Sequence, residues 1–89
     1  MTAAALDRSA RREVRNPILA LPAAQALLAL PAEQRAVIYW LLRDLKAQCR
    51  EQEAIAYAKR KGPMTAYWMA AGTYSGHIAH VANPRRKGI

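Results

Sequence analysis

Apolar residues recur at threes and fours along the second half of this chain, the spacing that keeps them on one side of a helix. Ile38, Leu41, Leu42, Leu45, Cys49 and Ala56 form one such set, and nothing breaks it before Gly62–Pro63. Pro31 and Glu33 suit the first turn of this helix. Lys59, Arg60 and Lys61 suit its end, where cations meet the negative end of the helix dipole. Gly62 is expected to close that helix and Pro63 to open another. In this last helix Met64, Tyr67, Trp68, Ala71, Ser75, Ile78 and Ala82 follow the same spacing until Asn83–Pro84 stops it.

The first third of the chain is punctuated by proline. Asn16–Pro17 marks a helix start, with Asn as the cap and Pro in the first turn. The segment Leu19-Ala20-Leu21-Pro22-Ala23-Ala24-Gln25 is echoed nine residues later by Leu28-Ala29-Leu30-Pro31-Ala32-Glu33-Gln34. A nine-residue period is too short for a solenoid unit, so it reads as two similar helix starts. One or two short apolar helices are therefore expected between Pro17 and Leu30. Before them, residues 1–15 hold only Leu6 and Val14 as sizeable apolar side chains. They read as a basic, flexible arm, because a lone short helix is marginal in water. The predicted fold is all-α: a small three- to four-helix bundle at 16–84 with a long central helix, between a basic arm at 1–15 and a basic tail at 85–89.

Composition agrees with that pattern. Alanine and leucine dominate, Phe is absent, and Pro and Gly together supply nine of 89 residues. With the single cysteine Cys49, no disulfide can form within the chain, and charged residues from Asp7 to Glu13 interrupt any signal-peptide core. A cytoplasmic location is the expectation.

Charge changes the picture more. Fourteen Lys and Arg face six Asp and Glu, leaving +8. The excess falls on residues 1–16, on 43–62 and on 85–89, whereas 17–42 are balanced. On the long helix, Arg35, Tyr39, Arg43, Lys46, Arg50, Tyr57 and Lys61 fall close to one side, beside the apolar face. Cations interleaved with Tyr suit phosphates and stacked bases, although Glu53 lies within the stripe. The candidate nucleic-acid-binding set is thus Arg35, Arg43, Lys46, Arg50, Lys59, Arg60, Lys61, Arg85, Arg86 and Lys87, with DNA and RNA both open. The plainer reading is a solvated helix face.

The last helix offers a different surface. From Gly62 to Pro84 there is no charged residue, and Tyr67, Trp68, Met69 and Tyr74 crowd into eight positions. One helix of a small bundle cannot bury all four, so they are candidates for a protein interface. His77, His80, Thr65, Thr73, Ser75 and two internal glycines make this stretch too polar to span a membrane. Gly72 and Gly76 let another helix approach closely, either within the bundle or, as an alternative, at a homodimer seam.

No constellation for catalysis or a cofactor emerges. Asp44 and Glu51 lie about two turns, or ~10 Å, apart, too far to share a proton. His77, His80 and Cys49 fall short of the four ligands of a structural zinc site. Cys49 reads as a buried, inert thiol. The chain is expected not to be an enzyme and to need neither cofactor nor metal.

Two resemblances add context. Asn16-Pro17-Ile18-Leu19-Ala20-Leu21-Pro22, with Gly62-Pro63-Met64-Thr65-Ala66-Tyr67-Trp68 and Tyr74-Ser75-Gly76-His77-Ile78-Ala79, resembles short uncharacterised helical proteins of bacterial and prophage genomes. That resemblance implies a bacterial or phage origin and no particular chemistry. Leu30-Pro31-Ala32-Glu33-Gln34-Arg35-Ala36-Val37-Ile38 is similar to the opening of the helix-turn-helix region of sigma factors. The pattern departs afterwards, since that family turns after about a dozen residues and this helix runs on. Two readings remain. One is a non-enzymatic protein that binds nucleic acid or an acidic surface of a nucleic-acid-handling protein. The other is a phage-type adaptor or inhibitor that docks through its aromatic last helix.

Overall fold

Proline placement sets the helix boundaries in the computed structural model, which describes residues 16–85. Pro17 opens a 3-10 turn (Pro17–Ala20), and Pro22 opens helix α1 (Pro22–Leu28). Pro31 stands just before helix α2 (Ala32–Ala58), and Pro63 sits in the first turn of helix α3 (Gly62–Ala82). At each place the missing proline N–H is one that no helical bond would have used. The described residues are all-α, with no strand among them. The basic arm expected at 1–15, and Arg86 and Lys87 of the expected tail, lie outside the described residues. α2 continues unbroken past the point at which a helix-turn-helix region would turn.

The chain reverses between α2 and α3 in three residues. The Lys61 N–H bonds to the Ala56 carbonyl at 2.9 Å and the Arg60 N–H to that of Tyr57 at 3.0 Å. This is the paired closure of a helix C-terminus that needs one left-handed residue. The expectation gave that task to Gly62. Instead Arg60 takes the left-handed conformation, with φ of 59°, and Gly62 begins the next helix.

α2 and α3 then run antiparallel, and what buries their contact is mostly small. α3 presents Gly72, Ser75, Ala79 and Ala82, all buried. The Ser75 hydroxyl is satisfied by donating to the Ala71 carbonyl at 2.7 Å. α2 answers with Arg35, Cys49 and Ala56, buried, and Leu42, half-buried. These four positions are seven apart, a seam like that of a coiled coil. The face expected from the apolar set is therefore rotated. Cys49 and Ala56 are buried and Ile38 and Leu42 half-buried, but Leu41 and Leu45 are 64% and 46% exposed. The glycines are the reason. A Cβ at Gly72 would lie 3.1 Å from Nη1 of Arg50 and 3.3 Å from Cβ of Cys49, and one at Gly76 3.1 Å from Nζ of Lys46. With no side chain in the way, the stems of Lys46 and Arg50 lie across α3, and α2 turns that side inward. Gly72 and Gly76 thus serve packing within the chain, and a partner helix there would have to displace α2.

The N-terminal elements cover one end of this hairpin. Val81, fully buried, packs with Leu19, Ala24 and Leu28, flanked by Ile18 and Leu27. Asn16 precedes the 3-10 turn but makes no side-chain cap bond. Its Nδ2 instead donates to the His77 carbonyl of α3 at 2.9 Å. The cap expected from sequence is a tie between distant segments.

Candidate nucleic-acid interface

α2 turns three cations toward one flank of the seam. Arg43 donates to the Tyr39 hydroxyl at 3.1 Å, with its guanidinium 5.7 Å from the centre of that ring. Lys46 is half-buried over Gly76. Arg50 pairs with Glu53 at 2.9 Å and donates to the Met69 carbonyl at 3.2 Å and the Thr73 hydroxyl at 3.3 Å. Arg50 is therefore held in place rather than free to swing, while part of its guanidinium remains accessible.

Two concavities share this flank. The larger, about 830 Å³, lies towards the hairpin turn and is lined by Tyr57, Arg60, Lys61, Met69, Thr73 and Tyr74 among others. The smaller, about 310 Å³, is lined by Asn16, Leu19, Lys46, Arg50, Thr73, Gly76, His77 and His80. Thr73 borders both, so the two adjoin along α3, and the word groove covers the pair. The acidic residues are arranged to match. Besides Glu53, those of the described chain are Glu33, Asp44 and Glu51. Their spacings of eleven and seven residues place them on one stripe, on the side of α2 away from the groove.

This geometry sorts the expected residues. Lys46, Arg50, Arg60 and Lys61 line the groove, with Tyr57 added, while Arg43 lies on the same side of α2 against Tyr39 without lining it. Lys59 is exposed at the turn and Arg85 beyond α3, neither lining it. Arg35 must be withdrawn from the set. It is 6% exposed, and it donates from Nε to the Leu30 carbonyl at 3.1 Å and from Nη1 to that of Asn83 at 3.0 Å. It ties the entry of α2 to the exit of α3 and presents nothing to a ligand.

The aromatic cluster of α3 is divided. Met69 and Tyr74 line the basic groove. Tyr67 and Trp68 stack edge to face on each other, with centroids 5.0 Å apart. Two residues along a helix is a rotation of about 200°, so position 67 faces away from position 69. The same rotation puts Leu41 and Leu45 across the seam from Arg43. With Val37, Ile55, Met64 and Tyr67, all exposed, they give the opposite flank an apolar surface.

Asn16, Thr73, His77 and His80 are groove residues that the sequence did not assign to a site. The spacing of Met69, Thr73, Gly76 and His80 on one helix side was a usable signal. Which side of α3 would meet which side of α2 was not. Among the described residues no group of His, Cys, Asp or Glu could hold a metal ion, and no helix is long and apolar enough to cross a membrane. Cys49 is a buried free thiol. No protein-family model, curated protein or solved structure matches the chain.

Proposed function

We propose that this chain is a binding protein for single-stranded nucleic acid, held in the groove of Lys46, Arg50, Arg60 and Lys61. The observation that carries this reading is the shared flank. Four cations line two adjoining concavities together with exposed Tyr57 and Tyr74, while Glu33, Asp44 and Glu51 lie elsewhere. Cations track a phosphate backbone, and exposed rings provide stacking platforms that tolerate any base.

With about four phosphates contacted, the logarithmic salt slope should be about −3, so affinity falls roughly 60-fold between about 50 and 200 mM salt. Fluorescence anisotropy on a labelled oligonucleotide measures this. Absence of binding at the lowest salt would sink the reading. Arg60→Gly gives a sharper check. Glycine suits the left-handed position, so stability should rise by about 1 kcal/mol. Affinity should nevertheless fall and the slope shrink by about 0.7, because one phosphate contact is lost. Affinity that followed stability upward would count against the groove.

A second reading is favoured by the opposite flank: a protein contact through Leu41, Leu45, Tyr67 and Trp68. An uncharged apolar surface is complementary to its own copy, whereas two chains of +8 repel elsewhere. Two helices side by side over about 30 Å offer roughly 600 Å² per partner, close to the ~800 Å² of stable interfaces. Wild type should then sediment as a dimer and Leu41→Lys, Leu45→Lys as a monomer. A wild type monomeric at high concentration excludes the dimer.

A further inference from the structure

The wall of α3 along the larger concavity is apolar and spaced to receive a helix. Ala66, Met69, Ala70 and Thr73 follow the pattern i, i+3, i+4, i+7, with Ala58 of α2 beside them, and all but Thr73 are exposed. Residues at that spacing form one helix side, and small ones let a second helix lie close. An exposed apolar strip with a polar rim marks a place where something docks. Here the rim is cationic. Arg60 and Lys61 line it at the hairpin turn with no carboxylate partner among the described residues, and no carboxylate lines either concavity. The occupant that fits is a helix whose apolar stripe is edged by carboxylates.

Residues 1–15 carry that pattern in their sequence. On a helix Ala3, Leu6, Ala10 and Val14 share one side, Asp7 and Glu13 flank this stripe on its two edges, and Arg8, Arg11, Arg12 and Arg15 fall away from it. The segment also starts from the right place. Asn16 lines the smaller concavity, and its Nδ2 is tied to the His77 carbonyl at 2.9 Å. The Asn16 backbone is not helical and Pro17 follows it, so a helix over the preceding residues ends there and the chain turns. Fifteen residues of helix span about 22 Å, and α3 from His77 back to Gly62 spans the same length.

We propose that residues 1–15 dock as a helix in the larger concavity, with Leu6 against Ala66 and Met69 and Val14 against Thr73. Asp7 and Glu13 then face the cations of the groove, and the four arginines point to solvent. A helix this short is marginal alone, and burial of its apolar stripe supplies the missing stability. A nucleic-acid strand would have to displace it. That regulatory consequence rests on the nucleic-acid reading above, whereas the docking itself does not.

Methyl NMR of the full chain tests the docking with no ligand present. Nuclear Overhauser contacts are expected from the Leu6 methyls to those of Ala66 and Met69 and from the Val14 methyls to that of Thr73, unchanged on dilution. Leu6→Gln with Val14→Gln leaves the charge as it is and keeps good helix formers, and it should abolish these contacts and shift the Met69 methyl signal. Absence of the contacts in wild type overturns the inference. Contacts to Leu41 and Leu45 instead would place the segment on the opposite flank, and contacts that fade on dilution would assign it to a second copy; either result also overturns it.

A labelled oligonucleotide then tests the regulation. The double variant should bind it about tenfold more tightly than wild type, because apparent affinity is reduced by the fraction of molecules whose groove is open. Saturating oligonucleotide should erase the Leu6 contacts in wild type. Equal affinities, or contacts that survive saturation, overturn the hold of this segment on the groove. Failure of both proteins to bind at low salt overturns the nucleic-acid reading and leaves the docking to be decided by its own contacts.

Discussion

Arg35→Ala is expected to cost about 3 kcal/mol of stability, a large share of what a domain of this size possesses. The guanidinium is buried and bridges the Leu30 carbonyl, just before α2, to the Asn83 carbonyl, just after α3. Charge-assisted bonds to carbonyls contribute more than neutral ones, and Asn83 stands at a helix C-terminus where a cation is further favoured. Truncation removes both bonds and leaves the two carbonyls short of donors. In thermal unfolding the midpoint should fall by about 10–20 °C. Arg35→Lys should recover less than half of this, since an ammonium cannot span two carbonyls as a planar fork does. A drop of less than about 1 kcal/mol for the alanine variant would mean that the bridge is incidental.

The two glycines of α3 should respond in opposite ways. At Gly72 a new Cβ meets Cβ of Cys49 at 3.3 Å, an atom fixed to the backbone of α2. A larger side chain there can be accommodated only by moving the helices apart. Gly72→Leu should therefore cost about 3 kcal/mol through overpacking, and it should loosen Arg50 from Thr73 and Met69. At Gly76 the neighbours are all atoms of the Lys46 side chain, which can swing away. Gly76→Ala should raise stability by about 0.5–1 kcal/mol, because alanine replaces a flexible residue inside a helix. Denaturant titration of both variants decides the matter. Equal effects at the two positions would show that the helices are not held at the separation described.

The sequence resolved helix placement well because the signals for it are local. Prolines at 17, 22, 31 and 63 act on their own backbone, and they begin elements or precede them as expected. The rotation of α2 was less legible. Leu41 and Leu45 carry the hydrophobicity, but Arg35, Cys49 and Ala56 are what the seam buries. Periodicity reports where apolar residues lie on a helix and says nothing about the neighbour. Here the neighbour is a strip of glycine, serine and alanine that admits side-chain stems rather than bulky apolar groups.

The candidate site divides in the same way. A basic, tyrosine-bearing side of α2 was written in the spacing of Tyr39, Arg43, Lys46, Arg50 and Tyr57. That Arg35 leaves this set, that Met69 and Tyr74 join it, and that Asn16 reaches it from sixty-one residues before His77 are all long-range facts. By itself the sequence determined an all-α chain, its turns and a basic helix side, because each depends on residues within a few positions of one another. Tertiary structure alone decided which cations are spent on carbonyls and which face a groove, because a charged side chain is committed only when another segment is folded against it.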